Sequence, residues 1–297
     1  MKHLTSIDDL SLQELKNLFQ RANELKLAPN SYPNLAQHKA CALFYENSTR
    51  TYMSFNLAAQ NCKLPLIPLP MQHSSERKGE SFLDSLLTIN AMGIRLFIIR
   101  HNKTQAFSQV LNNLPPTLKI INAGDGQNEH PSQALLDMMT IMGHFSKVEK
   151  LKIALIGDIR HSRVANSLLK LCNKLGINNI TCIAPKIWHP QDLSFAKITE
   201  DPALGLDEAD VIITLRIQEE RLALDEKYDL KRYQEIYGLT KDRLKLANKN
   251  AIILHPGPIN RNVEITTDLA DCAQSCILEQ VRNGVFMRMA IIEALLT

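Results

Sequence analysis

The chain has 297 residues, 45% hydrophobic and 22% charged, a balance that excludes a disordered polymer or a membrane-embedded protein and suits two domains of about 150 residues. Lys plus Arg total 34 against 31 Asp plus Glu, and this net charge of +3 is too small to argue for nucleic-acid binding, although cations gathered in one cleft could hold an anionic metabolite. The start, MKHLTSIDDL, has no continuous apolar core and no stretch approaches the roughly 18 uncharged apolar residues of a membrane span, so the expectation is a cytoplasmic chain whose six scattered cysteines are reduced thiols.

Leu15, Leu18, Phe19, Ala22 and Leu25 recur at helical spacing over 12–25, and KACALFYE (39–46) follows as a short buried strand. Helix-like stretches near 50–60, 80–92, 103–113 and 132–145 then alternate with strand-like runs at 64–69, 95–100 and 118–122, the pattern of a parallel sheet wrapped by helices. Alternation restarts at LKIALIGD (151–158) and runs through a helix to about 175, NITCIA (179–184), DVIITL (210–215) and NAIILHPGP (250–258). The charged stretch 143–150 is the expected join. The reading is thus an α/β chain of two doubly wound parallel-sheet domains, 1–145 and 146–279, with a closing helix over about 280–297 expected to pack back on the first.

The turn after LKIALIGD looks at first like a dinucleotide-binding turn, but GxGxxG is absent and Asp158, Ile159, Arg160 and His161 would obstruct a pyrophosphate. Other segments carry more chemistry. In FYENSTRTYMSFNLAAQ (44–60) a strand ends and a helix opens among Ser48, Thr49, Arg50 and Thr51, a mixture of hydroxyls, a guanidinium and unsatisfied amides that suits phosphate, though an ordinary capped helix with a solvated arginine would read the same. HSSERKGES (73–81) offers Ser74 and Lys78 in a polar loop. In INAGDGQNEHPSQALLD (121–137) a Gly-rich turn leads to His130 and Gln133 around a helix-starting Pro131. Arg163, then Arg216 with Gln218 and Arg221, then HPGP (255–258) follow successive strands of the second half, at the carboxyl ends where open α/β sheets bind ligands.

Taken together and in this order, FYENSTRT, SSERKGE, IIRH, INAGDGQNEHPSQALLD, LRIQEER and HPGPINRNVEI resemble the aspartate/ornithine carbamoyltransferase family, from the first helix to the last. STRT alone is similar to either branch, whereas RIQxER with HPxP resembles the aspartate branch. The resemblance implies transfer of a carbamoyl group from carbamoyl phosphate to L-aspartate in a cleft between the two domains, as in pyrimidine biosynthesis, with no metal and no cofactor. It implies that Ser48, Thr49, Arg50, Thr51 and Arg100 hold the phosphate, that Thr51, Arg100 and His130 surround the carbamoyl oxygen, and that Gln133 and the Pro256–Gly257–Pro258 turn hold the carbamoyl NH2. Arg163, Arg216 and Gln218 would clamp the aspartate carboxylates, joined by Lys78. Ser74 and Lys78 would come from a neighbouring subunit, making a homotrimer with shared sites, with a regulatory chain or a dihydroorotase as further partners left open. That loop and segment 217–245 would close over the substrates. Tyr52, Arg77 and Gly257 depart from the usual pattern, and a cis peptide before Pro258 is expected.

Overall fold

A computed structural model describes residues 1–70, 79–190, 192–219, 222–223 and 226–297. The chain divides into two compact units, Met1–Leu136 with Val281–Thr297, and Asp137–Gln280.

In the first unit, α1 (Leu12–Leu27) begins at a reciprocal capping box in which Ser11 and Glu14 each satisfy the other's backbone amide, and it buries Leu15, Leu18, Phe19, Ala22 and Leu25. The elements β1 (Ala40–Phe44), α2 (Thr49–Asn61), β2 (Leu66–Pro70), α3 (Phe82–Ala91), β3 (Leu96–His101) and β4 (Lys119–Asp125) follow, and α4 (Pro131–His144) starts in this unit. All strand pairs are parallel, in the order β2-β1-β3-β4. Alternate residues Cys41 and Leu43, Phe97 and Ile99, and Leu118 and Ile120 point to one face and form its core with Leu86, Ile94, Phe107, Val110 and Leu114.

The helix expected over 103–113 does not form. Turns occupy 104–110 and end in a single 3-10 turn at Leu111–Asn113. The cause is a competing acceptor: the buried Asp125 carboxylate takes the Gln105 and Ala106 amides at 3.1 Å, and Gln105 adopts a left-handed φ of 57° that no helix interior allows. Phe107, Val110 and Leu114 are buried nonetheless, so the apolar spacing reported a real covering of the sheet, made by turns.

The second unit contains β5 (Lys152–Ile156), α5 (Arg163–Lys174), β6 (Asn179–Ile183), β7 (Lys197–Thr199), α6 (Pro202–Leu206), β8 (Val211–Thr214), α7 (Leu230–Tyr237), α8 (Lys241–Leu244), β9 (Ile252–Leu254) and α9 (Thr267–Ala270). Its sheet is also parallel, in the order β7-β6-β5-β8-β9. The edge strand β7 and the short helices α6, α8 and α9 have no counterpart in the sequence reading, being too short to show a period. An aromatic cluster closes one side: Trp188 lies 5.5 Å from Tyr233, which stacks on Tyr237 at 5.3 Å, and the indole donates to the Glu226 carbonyl. The last helix, α10 (Ile277–Leu296), starts in this unit and ends in the first, where Arg21 pairs with Glu293 at 2.7 Å and Arg288 donates to Ser54 at 2.6 Å.

No helix among the described residues is long and apolar enough to cross a membrane. All six cysteines are free, and burial pushes the Cys62, Cys172 and Cys182 thiols up to about 12.

Candidate active site

In the first unit β1 lies beside β3 although β2 intervenes in sequence, so the strand order reverses there and the loops leaving β1 and β3 open a crevice at the carboxyl edge. Register places Phe44 opposite Arg100, and the chain after Phe44 runs into Ser48, Thr49, Arg50 and Thr51, the cap and first turn of α2. Ser48 has capping backbone geometry, φ −157° and ψ 91°, yet its hydroxyl makes no capping bond. Ser11, Ser81 and Ser162 do cap their helices, accepting from Glu14, Asp84 and Ala165. At α2 the positive end of the dipole is therefore left without the side-chain acceptor that a serine normally supplies. Thr51 is buried, while Thr49 and Arg50 are exposed.

Arg100 is 9% exposed and spans two partners, donating to the Ala123 carbonyl at 3.0 Å and pairing with the Glu46 carboxylate at 2.7 Å. Glu46, inside the FYEN segment, received no role from sequence; the signal was its place two residues before Ser48. Next to it His101 stacks on Tyr45 at 4.3 Å and accepts from the Lys103 amide, and burial first, then Lys103, lowers its pKa.

His130 and Gln133 are buried at the opening of α4, where the Gln133 and Ala134 amides donate to the His130 carbonyl at 2.9 and 3.3 Å. One helical turn apart, they share a face. Two buried carboxylates hold the loop before them: Asp125, described above, also accepts from Asn128 at 3.0 Å, and Glu129 accepts from Ser6 Oγ at 2.6 Å and from the Ile7 amide at 3.0 Å. Gly126, at φ 49°, is required because a Cβ would fall 2.6–2.7 Å from the Thr104 backbone.

In the second unit the order reverses between β5 and β8, and Arg163 follows the first while Arg216 follows the second. Gly157 allows this approach. At φ 136°, it carries no Cβ where one would meet Leu215 Cβ at 2.9 Å and Leu215 O at 3.1 Å, and the Leu215 amide bonds to the Ile156 carbonyl at 2.8 Å. Arg163 is 4% exposed at the first position of α5, a guanidinium set against the helix dipole, so the helix itself offers no reason for a cation there. Beside it the buried Asp158 carboxylate binds His161 Nδ1 at 2.9 Å and raises the imidazole pKa, while His161 Nε2 reaches Glu226 at 3.2 Å.

β9 lies beside β8, so the 255–258 turn joins the same edge as Arg216 and Gln218. The His255 amide donates to Gln280 Oε1 at 2.9 Å, His255 Nδ1 accepts from Gly257 at 2.8 Å, and the Gly257–Pro258 peptide is cis. Glu264, fully buried, accepts from the Ile217 amide at 3.0 Å and from the Asn260 amide and side chain at 2.8 and 2.7 Å. It therefore fixes the residue between Arg216 and Gln218 against the loop that follows Pro258. Sequence gave Glu264 no role either; the available signal was a carboxylate between the apolar Val263 and Ile265. Ser74, Arg77, Lys78 and Arg221 lie outside the described residues.

Known proteins match this chain along nearly its whole length. The model of the aspartate/ornithine carbamoyltransferase carbamoyl-P binding domain matches residues 2–143, and that of the Asp/Orn binding domain matches 149–295. The aspartate carbamoyltransferase catalytic subunit of Legionella pneumophila (strain Corby) is 47% identical over 296 residues, covering 100% of this chain and 99% of the relative. The crystal structure of aspartate transcarbamoylase from Trypanosoma cruzi with carbamoyl phosphate and aspartate is 30% identical, with a TM-score of 0.88 over 100% of this chain and 97% of that one. Ornithine carbamoyltransferase from Thermus thermophilus, 22% identical with a TM-score of 0.87 over 100% of this chain and 99% of that one, shares the fold. With both family domains matched in order and nearly half its residues shared with a full-length relative, the chain belongs to the aspartate/ornithine carbamoyltransferase family.

Proposed function

We propose that the chain transfers the carbamoyl group of carbamoyl phosphate to the amino group of L-aspartate, giving N-carbamoyl-L-aspartate and phosphate, the reaction that commits these two acidic metabolites to pyrimidine synthesis. The observation that carries this reading is that Arg163 and Arg216 follow the two adjacent strands at which the second sheet reverses, two cations suited to a dicarboxylate. Ornithine would bring a second ammonium to the same place. At about 4 Å from a guanidinium and an effective dielectric of 20, it would be repelled by roughly 4 kcal/mol.

In the first unit the uncapped turn of α2 supports a phosphate site of Ser48, Thr49, Arg50 and Thr51, completed by Arg100. Phosphate binding there competes with Glu46 for the Arg100 guanidinium. Attack by the neutral amine builds negative charge on the carbamoyl oxygen, which Thr51, Arg100 and His130 stabilise as fixed donors, each worth about 3–4 kcal/mol of barrier. Gln133 and the Pro256–Gly257–Pro258 turn orient the carbamoyl NH2. The departing phosphate accepts the proton released by the amine, so His130 acts as a donor and no side-chain base is required. Gln218 assists Arg163 and Arg216 at the aspartate carboxylates.

The competent form in this reading is a homotrimer, with Ser74 and Lys78 supplied by a neighbouring subunit and Lys78 reaching the aspartate. Mixing inactive Arg50→Ala chains with inactive Lys78→Ala chains then restores part of the activity; no rescue in confirmed hybrid trimers refutes sharing. For the reaction itself, the purified chain is assayed at equal carbamoyl phosphate with aspartate, ornithine and putrescine. Carbamoyl aspartate is the expected product, and preferential carbamoylation of either amine without a second carboxylate overturns the assignment.

A further inference from the structure

α4 ends at His144, and Cys276 and Glu279 flank the start of α10, three positions apart and so on one face of its first turn. These are the two helices in which the chain passes from one compact unit to the other and back. His144 Nε2 lies 2.8 Å from Glu279 Oε2 and 3.4 Å from Cys276 Sγ, and one donor atom from each of the three residues lies within 4.8 Å of the other two. Among the described residues this is the one group of three or more His, Cys, Asp or Glu side chains gathered so closely.

These distances can be compared with those a tetrahedral ion imposes. Tetrahedral zinc with bonds of about 2.3 Å to sulfur and 2.0–2.2 Å to nitrogen and oxygen separates its ligand atoms by roughly 3.4–3.6 Å. The sulfur–nitrogen distance already fits. The nitrogen–oxygen distance has to open by about 0.6 Å on that geometry, and the half-exposed His144 and Glu279 side chains can move that far while the buried Cys276 stays in place. One sulfur, one nitrogen and one oxygen ligand suit a borderline-soft ion and disfavour calcium or magnesium, which take oxygen alone.

We propose that His144, Cys276 and Glu279 bind one zinc-class divalent cation, leaving a fourth position for water and clipping the end of α4 to the start of α10. The ion takes Nε2 of His144, one Glu279 oxygen, and the Cys276 sulfur as thiolate, the thiol proton passing to solvent. None of the three residues is among those assigned to carbamoyl transfer, and the test does not depend on that reaction.

The full chain, stripped with chelator, is titrated with cobalt(II) and then zinc(II). One equivalent of cobalt per chain is expected, with sulfur-to-cobalt charge-transfer absorption and tetrahedral visible bands that one equivalent of zinc abolishes. Cys276→Ser should abolish the charge-transfer band, and His144→Gln, which leaves the thiol in place, should weaken zinc binding by at least the ~10–100-fold that even outer ligand-supporting groups contribute. Absence of a saturable thiolate–cobalt band in the wild-type chain, or an unchanged band in Cys276→Ser or unchanged zinc affinity in His144→Gln, refutes the site.

Discussion

Replacing Glu264 by glutamine should loosen the segment that carries Arg216 and Gln218. Both carboxylate oxygens are acceptors: Oε1 takes the Ile217 amide at 3.0 Å and Asn260 Nδ2 at 2.7 Å, and Oε2 takes the Asn260 amide at 2.8 Å. A carboxamide has one oxygen, so in either orientation its NH2 faces at least one buried N–H. Losing a hydrogen bond to a charged acceptor costs about 1.5–3 kcal/mol, and stranding its buried donor adds about 1–3 kcal/mol. Partial relaxation sets the expected loss at roughly 2–4 kcal/mol, a large share of the ~5–15 kcal/mol typical of a domain. Trp188, the single tryptophan, lies in the same unit, so urea unfolding followed by its fluorescence reports on that unit. Steady-state kinetics should show the aspartate KM raised several-fold while saturation by carbamoyl phosphate is little changed, because the freed backbone lies between Arg216 and Gln218, both proposed to hold aspartate. A destabilisation below about 0.5 kcal/mol together with an unaltered aspartate KM would refute the reasoning.

Gly157→Ala combines a left-handed backbone at φ 136° with a Cβ placed 2.9 Å from Leu215 Cβ, and should cost about 2–4 kcal/mol and raise the aspartate KM by displacing Arg216; a neutral substitution by urea unfolding would contradict that packing. The hydrogen bond to Asp158 raises the His161 pKa above 6.5, so its contribution is complete below the unfolded value and fades as pH rises through the folded one. Melting curves across about pH 5–9 should therefore show His161→Asn most destabilising at the acid end, and a deficit that grows toward alkaline pH would invert the assignment. His3 acts in the opposite sense: burial, then Lys2 and Lys119, lower it to about 4, so its neutral form is favoured and stability falls as pH drops from 6.5 toward that value. His3→Gln should flatten this acid limb, and an unchanged acid limb would argue against a buried neutral imidazole.

Long periodic segments were legible because their own side chains decide them. Five apolar positions at helical spacing define α1, and a serine–glutamate pair three residues apart marks its start. Buried parallel strands such as β3 read as continuous apolar runs since both faces are covered. Segment 103–113 misled for the same local reason: its apolar spacing is compatible with a helix, and the carboxylate that diverts its amides, Asp125, lies about twenty residues onward. Glu46 and Glu264 escaped notice because a lone acidic residue in a sequence carries no information about burial or partner.

Residue order alone therefore determined which stretches form βα units and, through the resemblance its motifs carry, the family. Tertiary structure decided the strand orders β2-β1-β3-β4 and β7-β6-β5-β8-β9, and with them which loops neighbour one another at each reversal. It also decided that Arg100 rests on Glu46, that Gly157 admits Leu215, and that His144 meets Cys276 and Glu279 across more than a hundred residues. The physical reason is range: periodicity and capping act over one or two turns of chain, whereas strand adjacency and buried ion pairing are selected by contacts that exist only after the sheets have assembled.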